Sequence, residues 1–126
     1  MRPVKADFGR RNEELAAEFL KKNGYRILKR NYRCKTGEID IIAKDKGTIC
    51  FVEVKARSNQ NFGLPQEAVD RYKQKQIGKA AVSFLSSHAL FGKSARFDVV
   101  SVLWQEERPV FNLIKDAFEL EQGFTI

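Results

Sequence analysis

The sequence has 126 residues, 43% hydrophobic and 31% charged, with a formal net charge of +7. A chain of this length can bury a core without disulfide or metal staples, and it reads as one domain, 1–126. No apolar run approaches the ~18 residues of a membrane span, and no signal-peptide pattern is visible, so the expectation is a cytoplasmic protein without a membrane partner.

In chain order, Asp7 suits the cap of a helix through Asn23, ended by Asn23-Gly24. Leu15, Ala16, Phe19 and Leu20 form its apolar stripe, and Glu13 falls on the border of that stripe. Tyr25–Arg33 reads as a first strand. Glu38–Ala43 and Thr48–Ala56 read as second and third strands joined at Asp45-Lys46-Gly47. A polar loop follows over 58–64. Pro65 suits the first turn of a long helix to about Ser87, with Val69, Tyr72, Ile77, Ala80, Ala81, Phe84 and Leu85 inward. Ala95–Trp104 reads as a fourth strand and Val110–Ile114 as a fifth. The last dozen residues suit a short helix or a frayed end. The order αβββαβ(β) predicts a single α/β domain.

The charge is unevenly spread. Residues 1–36 hold 11 Lys/Arg against 4 Asp/Glu, a net of +7, and residues 37–126 hold 12 of each. Lys55, Arg57, Arg71, Lys73, Lys75 and Lys79 form a second basic region. Clustered cations reward a polyanion through counterion release, which favours nucleic acid. A solvated basic surface is the plainer alternative. Cys34 and Cys50 match no metal-ligand spacing and read as free thiols of a reducing compartment.

The stretch GEIDIIAKDKGTICFVEVKAR, Gly37 to Arg57, carries charges inside two apolar strands. Ionisable side chains are rarely buried unless paired or bound to a metal. Alternation puts Ile49, Phe51, Glu53 and Lys55 on one face of the third strand. On the second strand it puts Glu38 and Asp40 on one face, with Ile39, Ile41 and Ala43 on the other. A two-residue turn at Lys46-Gly47 pairs Ala43 with Cys50 and sets Asp40 across from Glu53; a one-residue slip would separate them. Two facing carboxylates need a positive charge between them, from a lysine or a divalent cation. Mg²⁺ takes one or two carboxylates plus waters and phosphate oxygens, and a neighbouring lysine can act on the attacking water or the developing charge. The set suits metal-assisted phosphodiester hydrolysis. A structural ion pair of Lys55 with Glu53 or Glu38 is the competing reading.

Asp40 followed by Glu53-x-Lys55 on the next strand resembles the PD-(D/E)xK nuclease superfamily. Glu13, Gly24-Tyr25, Arg30-Asn-Tyr-Arg33, Gly37-Glu-Ile-Asp40, Phe51-Val-Glu-Val-Lys-Ala-Arg57, Phe62-Gly63 and Arg96-Phe-Asp-Val-Val100 together resemble the YraN-type bacterial family, which is similar to archaeal Holliday-junction resolvases. The resemblance covers about 9–104 and leaves the tail from Gln105 uncovered. Ile39 stands where the superfamily has Pro, and Asn12 where the family usually has Gly. The resemblance implies a restriction-endonuclease-like α/β domain with a mixed sheet flanked by helices. It implies a Mg²⁺- or Mn²⁺-dependent endonuclease with Asp40, Glu53, Lys55 and the helix-borne Glu13 as catalytic residues. Asp40, Glu53 and the Val54 backbone carbonyl are the expected metal ligands. Arg30, Arg33, Arg57, Lys73 and Lys75 are the expected nucleic-acid contacts, with DNA ahead of RNA and a homodimer left open. The alternatives are a binding module with a relic site and a basic protein that meets an acidic partner. Asp98 beside Arg96 suits an ion pair or a substrate contact, His88 a helix end, and Trp104 packing.

Overall fold

The computed structural model describes residues 5–57 and 69–119, with side chains from Phe8 onward. Helix α1 spans Lys5–Lys22. Lys5 and Ala6 are good helix formers and extend it past Asp7, which lies in the first turn rather than at the cap. The other end closes as expected: Tyr25 N–H bonds the Leu20 carbonyl at 3.0 Å, Gly24 N–H bonds Lys21 at 3.1 Å, and Gly24 has a φ of 90°. This is a Schellman cap, and only glycine adopts that φ without strain.

Five strands form one sheet in the order β1-β2-β3-β4-β5: Arg26–Cys34, Gly37–Asp45, Thr48–Arg57, Ala95–Gln105 and Arg108–Phe118. The first three are antiparallel neighbours, β4 runs parallel to β3, and β5 returns antiparallel to β4. The β2–β3 turn is Lys46-Gly47, and Ala43 pairs with Cys50 as the turn length required. The β4–β5 turn is also two residues long, at Glu106-Glu107, both with positive φ. No glycine or asparagine marks it, and β5 is therefore longer than the five residues expected.

Helix α2 spans Arg71–Ser87. It starts at Arg71 because the Asp70 carboxylate accepts the Lys73 N–H at 2.8 Å, an N-cap. The expected start at Pro65 lies outside the described residues, as do Phe62-Gly63 and the end of the tail. Tyr72, expected inward, is 72% exposed because it falls on the outer side of the first turn.

The helices cover opposite faces of the sheet. Ala16, Ala17 and Leu20 of α1 pack on Ile41, Ala43, Cys50, Val52, Val100 and Val102. Ile77, Ala80, Ala81 and Phe84 of α2 pack on Ile39, Ile42, Ile49, Phe51, Phe97 and Val99, and Val69 joins them. Ile39 and Ile41 therefore face opposite sides, contrary to strict alternation. The break falls at Asp40, which stands opposite Asn31 between the pairs Arg30↔Ile41 and Tyr32↔Ile39; Asn31 has a φ of 53°.

A charged network ties β4 to its surroundings. Asp98 is fully buried and accepts bonds from Tyr25 Oη at 3.0 Å, Arg96 Nε at 3.0 Å and the Asp116 N–H at 2.9 Å. Arg96 also reaches Asp45 at 2.7 Å. Asp98 is thus an ion-pair residue. Asp98→Ala leaves Arg96, Tyr25 and a backbone amide unmatched, and should lower stability by roughly 3–5 kcal/mol in urea unfolding.

Candidate active site

The β2–β3 ladder ends at Ile41↔Val52. Beyond it β2 stays paired with β1 as far as Gly37, and β3 stays paired with β4 as far as Arg57. The sheet forks there, and the fork opens a cavity of about 390 Å³. Phe8, Gly9, Asn12 and Glu13 of α1 line it, with Asp40 of β2, Glu53 to Ala56 of β3, and Lys73 of α2. Asp40, Glu53 and Lys55 thus share one cavity, and Glu13 joins them from the border of its helix stripe.

The Asp40 carboxylate is anchored by the Val54 N–H at 2.8 Å. Glu13 shares the cavity with Asp40; burial first, then the Asp40 charge, push its carboxyl up to about 7. Glu53 is 4% exposed. Burial and the Asp40 charge push it up to about 8, against the pull of Lys73 and Lys55. Lys73 Nζ stands 3.1 Å from Glu53 Oε1. Burial works against the ammonium, but Glu53 outweighs it and holds Lys73 above the ordinary lysine range. The other oxygen, Glu53 Oε2, is buried and has no hydrogen-bond partner among the described residues.

That oxygen and the neighbouring carboxylate test the fit of a cation. Among the described residues no three His, Cys, Asp or Glu side chains are arranged to hold an ion. A zinc or calcium cage is thus not built here. Mg²⁺ and Mn²⁺ are satisfied by one or two carboxylates completed by water and substrate. Asp40, Glu53 and the Val54 carbonyl fit that smaller demand.

The ion pairs expected of Lys55 do not form: Glu53 takes Lys73, and Glu38 takes Arg33 at 3.3 Å. Lys55 remains half-buried at the cavity wall. Lys73, expected to face phosphate on an open helix surface, is turned into the site; its proximity to Glu53 depends on the start of α2, which Asp70 caps. Arg30 and Arg33 are exposed on the edge strand β1, Lys75 is exposed on α2, and Arg57 is half-buried at the end of β3. Asn12 is a site residue that spacing did not suggest. It is 2% exposed, its amide bonds the Phe8 carbonyl at 2.9 Å, and it accepts the Trp104 indole N–H at 2.8 Å. Trp104 thereby braces the α1 wall. His88 caps α2 and stacks on Phe84. No helix among the described residues is long and apolar enough to cross a membrane.

The profile of the uncharacterised protein family UPF0102 matches residues 12–102. The chain belongs to this family. A UPF0102 protein of Syntrophus aciditrophicus is 51% identical over 115 residues, 91% of each chain. One of Pelobacter propionicus is 48% identical over 122 residues, covering 94% of this chain and 87% of the other. One of Geobacter metallireducens is 46% identical over 112 residues, covering 89% and 92%. The UPF0102 match begins at Asn12 and so takes in Glu13, Asp40, Glu53, Lys55 and Lys73.

The buried carboxyl predicts a pH signature. A carboxyl whose folded value rises from 4.5 to about 8 binds more protons folded than unfolded across that window. Stability from this group is therefore lost as pH rises through the window, and is unaffected below it. Glu53→Gln should gain stability over the parent at pH 8.5, by up to a few kcal/mol, and little at pH 5. Chemical unfolding at the two pH values measures this.

Proposed function

We propose that this UPF0102 chain is a metal-dependent endonuclease that hydrolyses phosphodiester bonds, DNA ahead of RNA, with Mg²⁺ or Mn²⁺ as cofactor. The observation that carries the reading is the convergence of Asp40, Glu53 and Lys55 on one cavity, with the buried Glu53 Oε2 left without a partner. A structural carboxylate in such a place is expected to have both oxygens satisfied.

Asp40, Glu53 and the Val54 carbonyl would hold the ion. When bound it polarises the attacking water and offsets the charge that builds on the phosphate oxygens. Lys55 donates to the attacking water or to a phosphate oxygen from the cavity wall. Glu13 lines the same cavity beside Asp40 and adds a third acidic side chain to it. The Val54 N–H fixes the Asp40 carboxylate. Arg30 and Arg33 on the exposed edge strand, with Lys75 and Arg57, supply phosphate contacts beside the cavity. Among the described residues no sequence-reading module accompanies them, so recognition by shape or by strand ends is favoured, as in a structure-specific resolvase.

The test is single-turnover cleavage of linear, nicked, flapped and four-way DNA by the parent, Asp40→Asn and Lys55→Ala. Asp40→Asn should weaken Mn²⁺ binding because it removes a hard anionic oxygen. Lys55→Ala should keep the metal but slow cleavage. Both should keep duplex affinity within a few-fold. Metal-dependent cutting that survives in both variants refutes the assignment. Duplex affinity of the parent should also fall steeply with salt and weaken in Arg30→Ala. Salt-insensitive binding would favour an acidic protein partner.

A further inference from the structure

Lys73 sits in the first turn of α2, where the Asp70 carboxylate fixes its backbone N–H at 2.8 Å. Its side chain is 40% exposed and lines the cavity, so the ammonium has room to move while its backbone does not. At rest it stands 3.1 Å from Glu53 Oε1. The cavity holds the acids Glu13, Asp40 and Glu53 against the cations Lys55 and Lys73. A divalent ion engaging Glu53 would stand within a few ångströms of this ammonium. Like charges so close repel strongly where water screens them poorly. Glu53 therefore cannot hold both cations at full strength.

We propose that Lys73 is a built-in counter-ion of the site, which a divalent cation displaces from Glu53, and that the displaced ammonium then contacts the phosphate being cut. This rests on the metal-site reading above and gives Lys73 a part in it that a surface phosphate contact does not have. In the metal-free protein Lys73 neutralises a buried carboxylate that would otherwise be uncompensated. With the ion in place the same ammonium is free, tethered at the cavity wall, and faces the negative charge the substrate brings.

The experiment compares the parent, Lys73→Met and Lys73→Arg in Mg²⁺ calorimetry at pH 8.5 and in single-turnover cleavage of a flapped DNA at saturating Mg²⁺. Removing the competing charge should tighten Mg²⁺ binding in Lys73→Met by about tenfold or more. Lys73→Arg keeps the charge and should stay within a few-fold of the parent. Cleavage by Lys73→Met should nonetheless be slower by at least about tenfold, and Lys73→Arg should recover part of it. Equal or weaker Mg²⁺ binding in Lys73→Met overturns the displacement, and tighter binding with undiminished cleavage overturns the contact with phosphate. If neither the parent nor Lys73→Met binds Mg²⁺, the metal-site reading itself falls and the displacement with it. Binding by the parent with no displacement signature refutes the role of Lys73 alone.

Discussion

Glu53 lies on the middle strand of a five-stranded sheet, 4% exposed, with one oxygen on Lys73 and the other on nothing among the described residues. Burying a carboxylate is expensive unless its charge and its lone pairs are met. Here they are half met, and the surrounding geometry is organised around that deficit. The β2–β3 ladder stops one pair short of it, at Ile41↔Val52. The resulting fork gives Asp40 room to turn inward and take the Val54 amide. Helix α1 supplies Glu13 from above one face and α2 supplies Lys73 from the other. A continuous ladder would seal this space and leave no place for a ligand.

The same sheet contains a second buried carboxylate, and the contrast is informative. Asp98 is 0% exposed, yet both its oxygens are bonded, by Tyr25, Arg96 and the Asp116 amide. It ties the start of β1 to β4 and to the irregularity in β5, where the pairing shifts between Phe97 and Val99. That is how a fold accommodates a charge it keeps for structure: both oxygens have partners. Glu53 departs from this, with one oxygen unpartnered among the described residues and a cavity beside it. Two carboxylates on adjacent strands, in one protein, are treated differently by their surroundings, and the untreated one is where chemistry can be done.

Much of this could be read from residue order. The two-residue turn at Lys46-Gly47 fixed the hairpin register, because side-chain direction alternates and a slip would invert it. Gly24 closed α1 for the reason its positive φ demands. Asp40, Glu53 and Lys55 reached one cavity as their spacing implied. What could not be read depends on contacts distant in sequence or on backbone exceptions. The pairing of Lys73 with Glu53 joins residues on a helix and a strand, and their proximity is set by where Asp70 starts the helix. Ile39 changes faces because alternation breaks at Asp40, which a period of two cannot announce. The Glu106-Glu107 turn carries no glycine. Charged pairs inferred within one hairpin, Lys55 with Glu53 or Glu38, were preempted by Lys73 and Arg33 from outside it.

The half-met charge also bears on how the site is held in shape without being filled. An unpartnered buried oxygen reduces stability, and Asp40 beside it adds repulsion that Lys73 and Lys55 only partly offset. Such a cluster persists when the surrounding fold over-determines it. Asn12 does this for the α1 wall that carries Glu13: it bonds Phe8 within the helix and Trp104 across to β4. Val54 does it for Asp40, and Asp70 for the turn that carries Lys73. Glu13, Asp40 and Lys73 are thus each held through a neighbouring side chain or a backbone bond, and all three line the open cavity. Rigid backs with free ends are what a site needs if it is to exchange one cation for another without moving its walls.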